Sequence, residues 1–262
     1  MFVPMPYLKS IDNVQAVVTT RNGGVSIGPY RSLNLALHVG DDQSSVIENR
    51  TRVTDSLGVE LEDLIFADQV HGTHAQVVGL KDRGRGTRSI EDAIEATDAL
   101  VTVEPGVVLA ILVADCVPIL LVDPTARVLA CVHAGWRASA ARIIDVVLDT
   151  MVSLGAKPAN VIASLGPRVS PDTYIVGAEV AESIEKSFGA AATTLMTQAS
   201  ENTPGHWFVD LGAMNRQAMI ERGLIEDNIY SLDTPTGKAG PYFSDREERP
   251  CGRFGLFAQL VP

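Results

Sequence analysis

The chain has 262 residues, 46% of them hydrophobic, three cysteines and a formal net charge of −11. That length and apolar content suffice for one large core, so residues 1–262 are expected to form a single domain. The net negative charge, with no Lys/Arg run to interrupt it, argues against nucleic acid as a partner while leaving room for a small anion held by a few local arginines. The first residues lack a basic start followed by an apolar core, and no stretch reaches the roughly 18 to 20 apolar residues of a membrane span, so neither export nor a membrane partner is expected. Three cysteines, Cys116, Cys131 and Cys251, cannot all pair within one chain. They fit reduced thiols in a cytoplasm, available for thiolate chemistry or metal ligation.

Residues 14–19 (VQAVVT) form a β-branched apolar run that stops at Arg21-Asn22-Gly23-Gly24, turn chemistry because these residues tolerate positive φ. Residues 25–42, punctuated by Gly and Pro, read as a surface loop with satisfied polar side chains at Arg31, Asn34 and His38. Asp41 or Asp42 can cap a helix that runs to Leu57, with Val46, Ile47, Val53 and Leu57 at helical spacing. Residues 64–70 (LIFADQV) are strand-like, stop at His71-Gly72-Thr73-His74 and resume as a strand over 75–80, which places both histidines in a hairpin-like turn. Residues 81–95 are charged and read as an exposed excursion with a short helix. Residues 98–103 lead through the turn Glu104-Pro105-Gly106 into the most informative stretch of the chain.

That stretch, residues 107–137, reads VVLAILVADCVPILLVDPTARVLACVHAGWR. Two apolar runs long enough to be buried strands are broken by Asp115 and Cys116, and a third ends on His133, followed by Gly135, Trp136 and Arg137. A carboxylate, a thiol, an imidazole and a guanidinium at the ends of buried strands must each be paired or desolvated, which packing alone does not explain. Residues 138–154 then show one amphipathic face with Gly155 as a stop, a single helix whose start at HAGWR favours an anion. Further strands are expected at 161–165, 174–177, 207–210, 228–232 and 254–261, with helices near 179–188 and 211–222 and a variable linking region at 191–205. The mixture of hairpins and strand–helix units predicts an α+β (mixed α/β) layered domain rather than a doubly wound sheet, and no dinucleotide fingerprint or P-loop occurs.

Cys116 and His133, with His71 as a third candidate from an independent turn, form the donor set of a catalytic zinc site that leaves a fourth position open. Copper suits the same donors less decisively. Without a metal the same atoms make a Cys/His nucleophile pair, His133 the base and Cys116 the attacking thiolate, and His71 then has only an optional role. Cys131 reads as a small buried hydrophobe, His74 as a hydrogen-bonded turn residue and His206 as structural or exposed.

With ADCVPILLVDP, HAGWR and QVHG in place, the chain resembles the bacterial YfiH-type family, also called the laccase-domain or polyphenol-oxidase-like family. VTTRNGGVSIGPYRSLNLALHVGDD, ATDALVT, LGPRVSPDTYIVGAEV and FVDLGAMNRQ extend the resemblance over nearly the whole chain. The resemblance implies a layered α/β/β/α sandwich of the YfiH-like type, shared in outline with certain toxin cysteine hydrolases. It also implies metal ligands at His71, Cys116 and His133. The activity implied is purine nucleoside chemistry: phosphorolysis of adenosine, inosine and methylthioadenosine, and deamination of adenosine, with purine nucleoside and phosphate as the small-molecule partners. A copper-dependent polyphenol oxidoreductase fits poorly, because the repeated HxH pairs of a three-copper cluster are missing.

On that reading, Asp115 is the first choice for a proton shuttle, with Asp98 the other carboxylate. Arg137 is the expected phosphate hook and Arg21 the second, while Asn34 and His38 are expected to hydrogen-bond ribose or base. The C-terminal family patterns CTY and FFSYRRD-TGR are altered here to Asp233-Thr234-Pro235 and Tyr242-Phe243-Ser244-Asp245-Arg246 followed by Cys251-Gly252-Arg253. A missing aromatic and a missing arginine bear on how substrate is held.

Overall fold

The computed structural model describes residues 1–6, 11, 13–199 and 203–261. In chain order its strands begin with β1 (Phe2–Pro4), β2 (Val14–Thr19), β3 (Leu64–Phe66), β4 (Ala75–Val77), β5 (Ala99–Thr102), β6 (Val108–Val113) and β7 (Val117–Asp123). They continue with β8 (Val128–Ala134), β9 (Ile162–Leu165), β10 (Ile175–Gly177), β11 (Met196–Gln198), β12 (His206–Val209), β13 (Ile229–Ser231) and β14 (Phe254–Leu260). The helices are α1 (Gln43–Leu57), α2 (Trp136–Ala140), α3 (Ile143–Ser153), α4 (Ala178–Phe188), α5 (Ala192–Leu195) and α6 (Leu211–Glu221).

Two large mixed sheets carry the fold, one in the order β1-β2-β14-β6-β3 and one in the order β13-β9-β7-β8-β5-β4, with a small sheet β10-β12-β11 beside them. Successive side chains of a strand point to opposite faces, and both faces of the central strands are covered. On β6, Leu109, Ile111 and Val113 pack into the seam between the sheets, whereas Val108, Ala110 and Leu112 pack with Leu33, Leu35 and Val53 on the α1 side. On β8, Leu129 and Cys131 face the same seam, and Val128, Ala130, Val132 and Ala134 face α3, α4 and α6. The layers are therefore α/β/β/α, as the resemblance implied. Strands buried on both faces read as continuous apolar runs, which is why residues 107–134 are so hydrophobic.

Among the described residues the chain passes between the two sheets four times. The passage from β5 to β6 lies at one end of the seam. The other three, residues 67–74 between β3 and β4, residues 114–116 between β6 and β7, and residues 232–253 between β13 and β14, border a common cavity at the opposite end. Residues 67–74 are thus not a hairpin: β3 runs parallel to β6 in one sheet and β4 parallel to β5 in the other. Local sequence cannot show which sheet a strand will join.

The expected helix over 138–154 is divided into α2 and α3 by Arg142, which sits at φ 64 with its guanidinium on Asp145 and Glu221. Residues 25–42 are partly interior rather than a surface loop, since Leu33, Asn34, Leu35 and Ala36 are fully buried. The 81–95 excursion opens on a 3-10 turn, Leu80–Asp82, that begins one residue before it, and it buries Ala93 and Ile94. The buried Arg50 of α1 ties both segments down by donating to the carbonyls of Leu35, Gly86 and Thr87. The capping expectation holds, with Asp42 accepting from the Ser45 N–H. The linking region contains α5 and β11.

Candidate metal centre and its cavity

Three side chains from three elements converge where the crossings meet. His71 lies on the first crossing, Cys116 closes the second, and His133 stands near the end of β8, paired across the sheet with Pro118. One ligand atom from each lies within 4.8 Å of the other two. The His71 and His133 ring centroids are 4.7 Å apart at 72°.

A single carboxylate arranges both histidines. Asp98, fully buried just before β5, accepts the N–H groups of Val70, His71 and Gly72 at 3.3, 3.0 and 2.6 Å. These bonds hold His71 at φ 61, a left-handed conformation that a residue with a side chain adopts only when its surroundings impose it. The same carboxylate takes His133 Nδ1 at 2.7 Å. With Nδ1 so engaged, Nε2 of His133 is left available to a metal, and an outer carboxylate commonly orients a metal-binding imidazole in this way. Burial pushes the Asp98 carboxyl up, but the His133 imidazole and the N–H groups of Gly72 and His71 outweigh it and hold the group below its ordinary value.

The thiol is tuned in the same sense. Burial raises Cys116, yet His133 and His71 more than offset it and bring the thiol down to about 6. Burial lowers His133, and Cys116 with Asp98 reverses that, lifting the imidazole to about 9. The environment favours thiolate, the form that ligates a metal or attacks an electrophile. Gly135 makes the cluster possible: a Cβ there would stand 2.9 Å from Cys116 Sγ and 3.1 Å from His71 Cδ2. Two imidazoles and a thiolate in a cradle that even a methyl group would crowd fit zinc well.

The cluster opens into a cavity of about 370 Å³, in the range of small-molecule sites. In a chain of net charge −11, four guanidinium groups line this cavity, from Arg137, Arg246, Arg249 and Arg253. Arg137 lies 4.3 Å over the Trp136 ring, and among the described residues no carboxylate pairs with it. Arg246 lies 4.9 Å over Tyr174 and donates to the Ile175 carbonyl. Arg249 and Arg253 share one carboxylate, that of Asp245.

Of the residues singled out in the sequence, the structure brings His71, Cys116, His133, Asp115, Arg137 and His38 to this cavity. Asp115, at φ 87, accepts from Thr236 Oγ1 on one oxygen and from the Arg246 N–H at 2.7 Å on the other. Asn34 and Arg21 are not brought there. Asn34 is fully buried, donates to the Ala36 carbonyl and Asp41, and accepts from the Ala36 and Arg253 N–H groups. All of its hydrogen-bonding capacity is used inside the chain. Arg21 pairs with Glu248 at 2.9 Å, 4.6 Å above the Phe243 ring, so it braces the C-terminal crossing. His74 bonds Thr97, His206 is exposed, and Cys131 is a buried core residue whose thiol burial pushes up.

Sequence reasoning missed Arg249, Tyr174 and Gln69 as cavity residues, and weighed Arg246 and Arg253 only as parts of an altered motif. The available signal was the run DREERPCGR, arginine-rich in an acidic chain. Gln69 carried no signal at all; its amide pairs in both directions with the backbone of Leu112 at 2.8 Å, anchoring the first crossing to the end of β6. A second cavity, of about 420 Å³, lies against α6 and β13, contains none of the three metal-ligating candidates, and has its Arg168 already paired with Asp233.

The family described as multi-copper polyphenol oxidoreductase laccase matches residues 15–261. The chain belongs to that family. It is 35% identical over 236 residues to the purine nucleoside phosphorylase YlmD of Geobacillus stearothermophilus, covering 89% of this chain and 85% of that protein. It is 35% identical over 226 residues to the adenosine deaminase RL5 of an unknown prokaryotic organism, covering 86% and 85%. The crystal structure of the Bacillus licheniformis hypothetical protein YfiH superposes with a TM-score of 0.94 at 32% identity over 99% of this chain and 96% of that one. The YfiH-type resemblance of the sequence motifs and the layered mixed α/β fold therefore both hold. No helix among the described residues is long and apolar enough to cross a membrane.

Proposed function

We propose that this chain is a zinc-dependent purine nucleoside enzyme that carries out phosphorolysis of adenosine, inosine and methylthioadenosine and deamination of adenosine. The observation that carries the reading is a His71/Cys116/His133 cluster opening into an arginine-lined cavity of an otherwise acidic protein. Relatives named as a purine nucleoside phosphorylase and as an adenosine deaminase support the substrate class. The description of the family as multi-copper is not matched by the donor set. Among the described residues one three-donor group occurs, enough for one ion, and its thiolate and imidazoles suit zinc better than a copper cluster.

In this proposal His71, Cys116 and His133 hold the metal and Asp98 orients both histidines. The chemistry that zinc supplies in such a site is Lewis acidity, which brings an oxygen nucleophile within reach of ionisation near pH ~7. Arg137 and Arg246 gather the phosphate, each steadied against an aromatic ring and neither guanidinium paired with a carboxylate among the described residues. Trp136 and Tyr174 present apolar faces to a base or ribose, with His38 as a polar contact at the rim. Proton transfer falls to Asp115 rather than Asp98, because Asp98 is walled in by four hydrogen bonds whereas Asp115 faces the cavity. Each Asp115 oxygen accepts one hydrogen bond and keeps a lone pair for a proton.

One observation favours a second reading. Asp98, His133 and Cys116 form a carboxylate–imidazole–thiol series of the kind that activates a nucleophile. Protein purified without added metal decides between them. Stoichiometric zinc, conversion of adenosine to inosine without phosphate, and release of adenine with phosphate support the proposal. Metal-free protein that is fully active, or that cleaves a thioester or amide while leaving adenosine untouched, sinks it in favour of the thiol hydrolase.

A further inference from the structure

The four cavity arginines fall into two pairs that differ in one respect. Arg137 and Arg246 lie over aromatic rings, and among the described residues no carboxylate pairs with either guanidinium. Arg249 and Arg253 are both engaged by Asp245, whose Oδ2 takes Arg249 Nε at 2.7 Å and whose Oδ1 takes Arg253 Nη2 at 2.9 Å. Arg253 is held further by the Cys251 and Gly252 carbonyls, so its second amino group is also committed. The cavity thus offers one open anion position and one that is already filled by the protein's own carboxylate.

Charge points the same way. Outside the His/Cys/His cluster and His38, four guanidiniums against the carboxylates of Asp115 and Asp245 leave two positive charges on the cavity wall. That balances one phosphate dianion. A second phosphoryl group, which carries about −1.5 to −2 near pH ~7, would have to displace Asp245 from both guanidiniums or sit beside its carboxylate. Either course costs charge-assisted hydrogen bonds. The Arg253 arm dominates, because its side chain is 20% exposed whereas that of Arg249 is 77% exposed and screened by water.

We propose that Asp245 is a specificity-determining residue that closes the second anion position, so that the cavity takes unphosphorylated nucleosides together with one phosphate and rejects nucleoside monophosphates. The inference rests on the purine nucleoside reading above and adds to it what excludes a second phosphoryl group.

The test compares adenosine with adenosine 5′-monophosphate in the metal-loaded full chain, at fixed inorganic phosphate, for the native protein, Asp245→Asn and Asp245→Glu. Asp245→Asn keeps the size of the side chain and removes its charge. It is expected to shift the kcat/KM ratio toward the monophosphate by about tenfold, the worth of one charge-assisted hydrogen bond. Asp245→Glu, which keeps the charge, should restore the preference for adenosine. A general loss of structure would lower both substrates together in Asp245→Asn and Asp245→Glu alike and show in thermal unfolding, and an unchanged ratio in an Asp245→Asn protein that unfolds at the native temperature overturns the proposal. If neither compound is turned over, the purine nucleoside reading fails by itself. Quenching of Trp136 in the cavity wall then decides the matter: tighter monophosphate binding by Asp245→Asn than by the native chain upholds the inference, and equal or absent binding overturns it.

Discussion

The metal-ligand wall and the arginine wall of the cavity meet at Asp115, yet they are held by different means. The first is made of strand ends. Cys116 immediately precedes β7, His133 lies in β8, the two strands pair from Val117 with Ala134 onward, and Asp98, next to β5, fixes the remaining histidine. The second, apart from Arg137 on α2, is a long crossing, residues 232–253, seated on the buried rings of Tyr242 and Phe243 and tied down by polar bonds to distant segments. Thr236 and the Arg246 N–H bind Asp115, and Glu248 binds Arg21. Sheet register gives the first wall fixed geometry, and the second can be retuned one side chain at a time. In the function proposed above, chemistry belongs to the rigid wall and selectivity to the adjustable one.

Breaking the rigid wall should have the largest effect. Cys116→Ala or His71→Ala should abolish stoichiometric metal and lower adenosine turnover on the order of 10³-fold, a loss typical of removing a group that acts on the reacting atoms. Elemental analysis and steady-state rates measure both, and full activity in either variant would show that the cluster is not the reaction centre. Next in size is Asp98→Asn, which leaves all three ligands in place but weakens the hold on His133 and His71. Metal affinity should fall roughly 10- to 100-fold, as for other outer-sphere carboxylates, read by competition with a chelating dye. The arginine wall should respond differently. Arg246→Ala should raise the KM for phosphate by about tenfold through loss of a charged contact, with metal content unchanged. The smallest effect belongs to Thr236→Val, which removes one tie between the crossing and Asp115 and should cost about 1 kcal/mol in urea unfolding without altering bound zinc. A loss of metal in either of these last two variants would mean that the walls are not separable.

The same division explains what could be read in advance. Cys116 and His133 were legible because polar groups at the ends of unbroken apolar runs stand out, and α1 because Asp42 and its apolar spacing are local signals. His71 stands out as a third candidate beside Cys116 and His133, and the structure does bring the three together, but its turn is not the hairpin expected, since nothing in residues 64–80 reveals that β3 and β4 join different sheets. Asn34 and Arg21 were expected to meet substrate and instead bind the chain itself, Arg253 and Glu248 being more than 200 positions away along the sequence. Pairings over that distance leave no periodicity and no spacing to detect. The break at Arg142 escaped for a related reason: its left-handed backbone is imposed by contacts with Asp145 and Glu221, not by a glycine.

Two of the three candidate ligands lie on chain segments that leave one sheet for the other, and the third is built into the receiving sheet. An ion held there would therefore act as a cross-link between the halves of the sandwich, joining points 45 and 17 residues apart in the sequence as a disulfide would in an oxidising compartment. Its contribution to folding would depend on the free ion, about 4 kcal/mol when the ion stands a thousandfold above its dissociation constant and little when it is scarce. The supply of metal would then govern how long the protein survives as well as how fast it works.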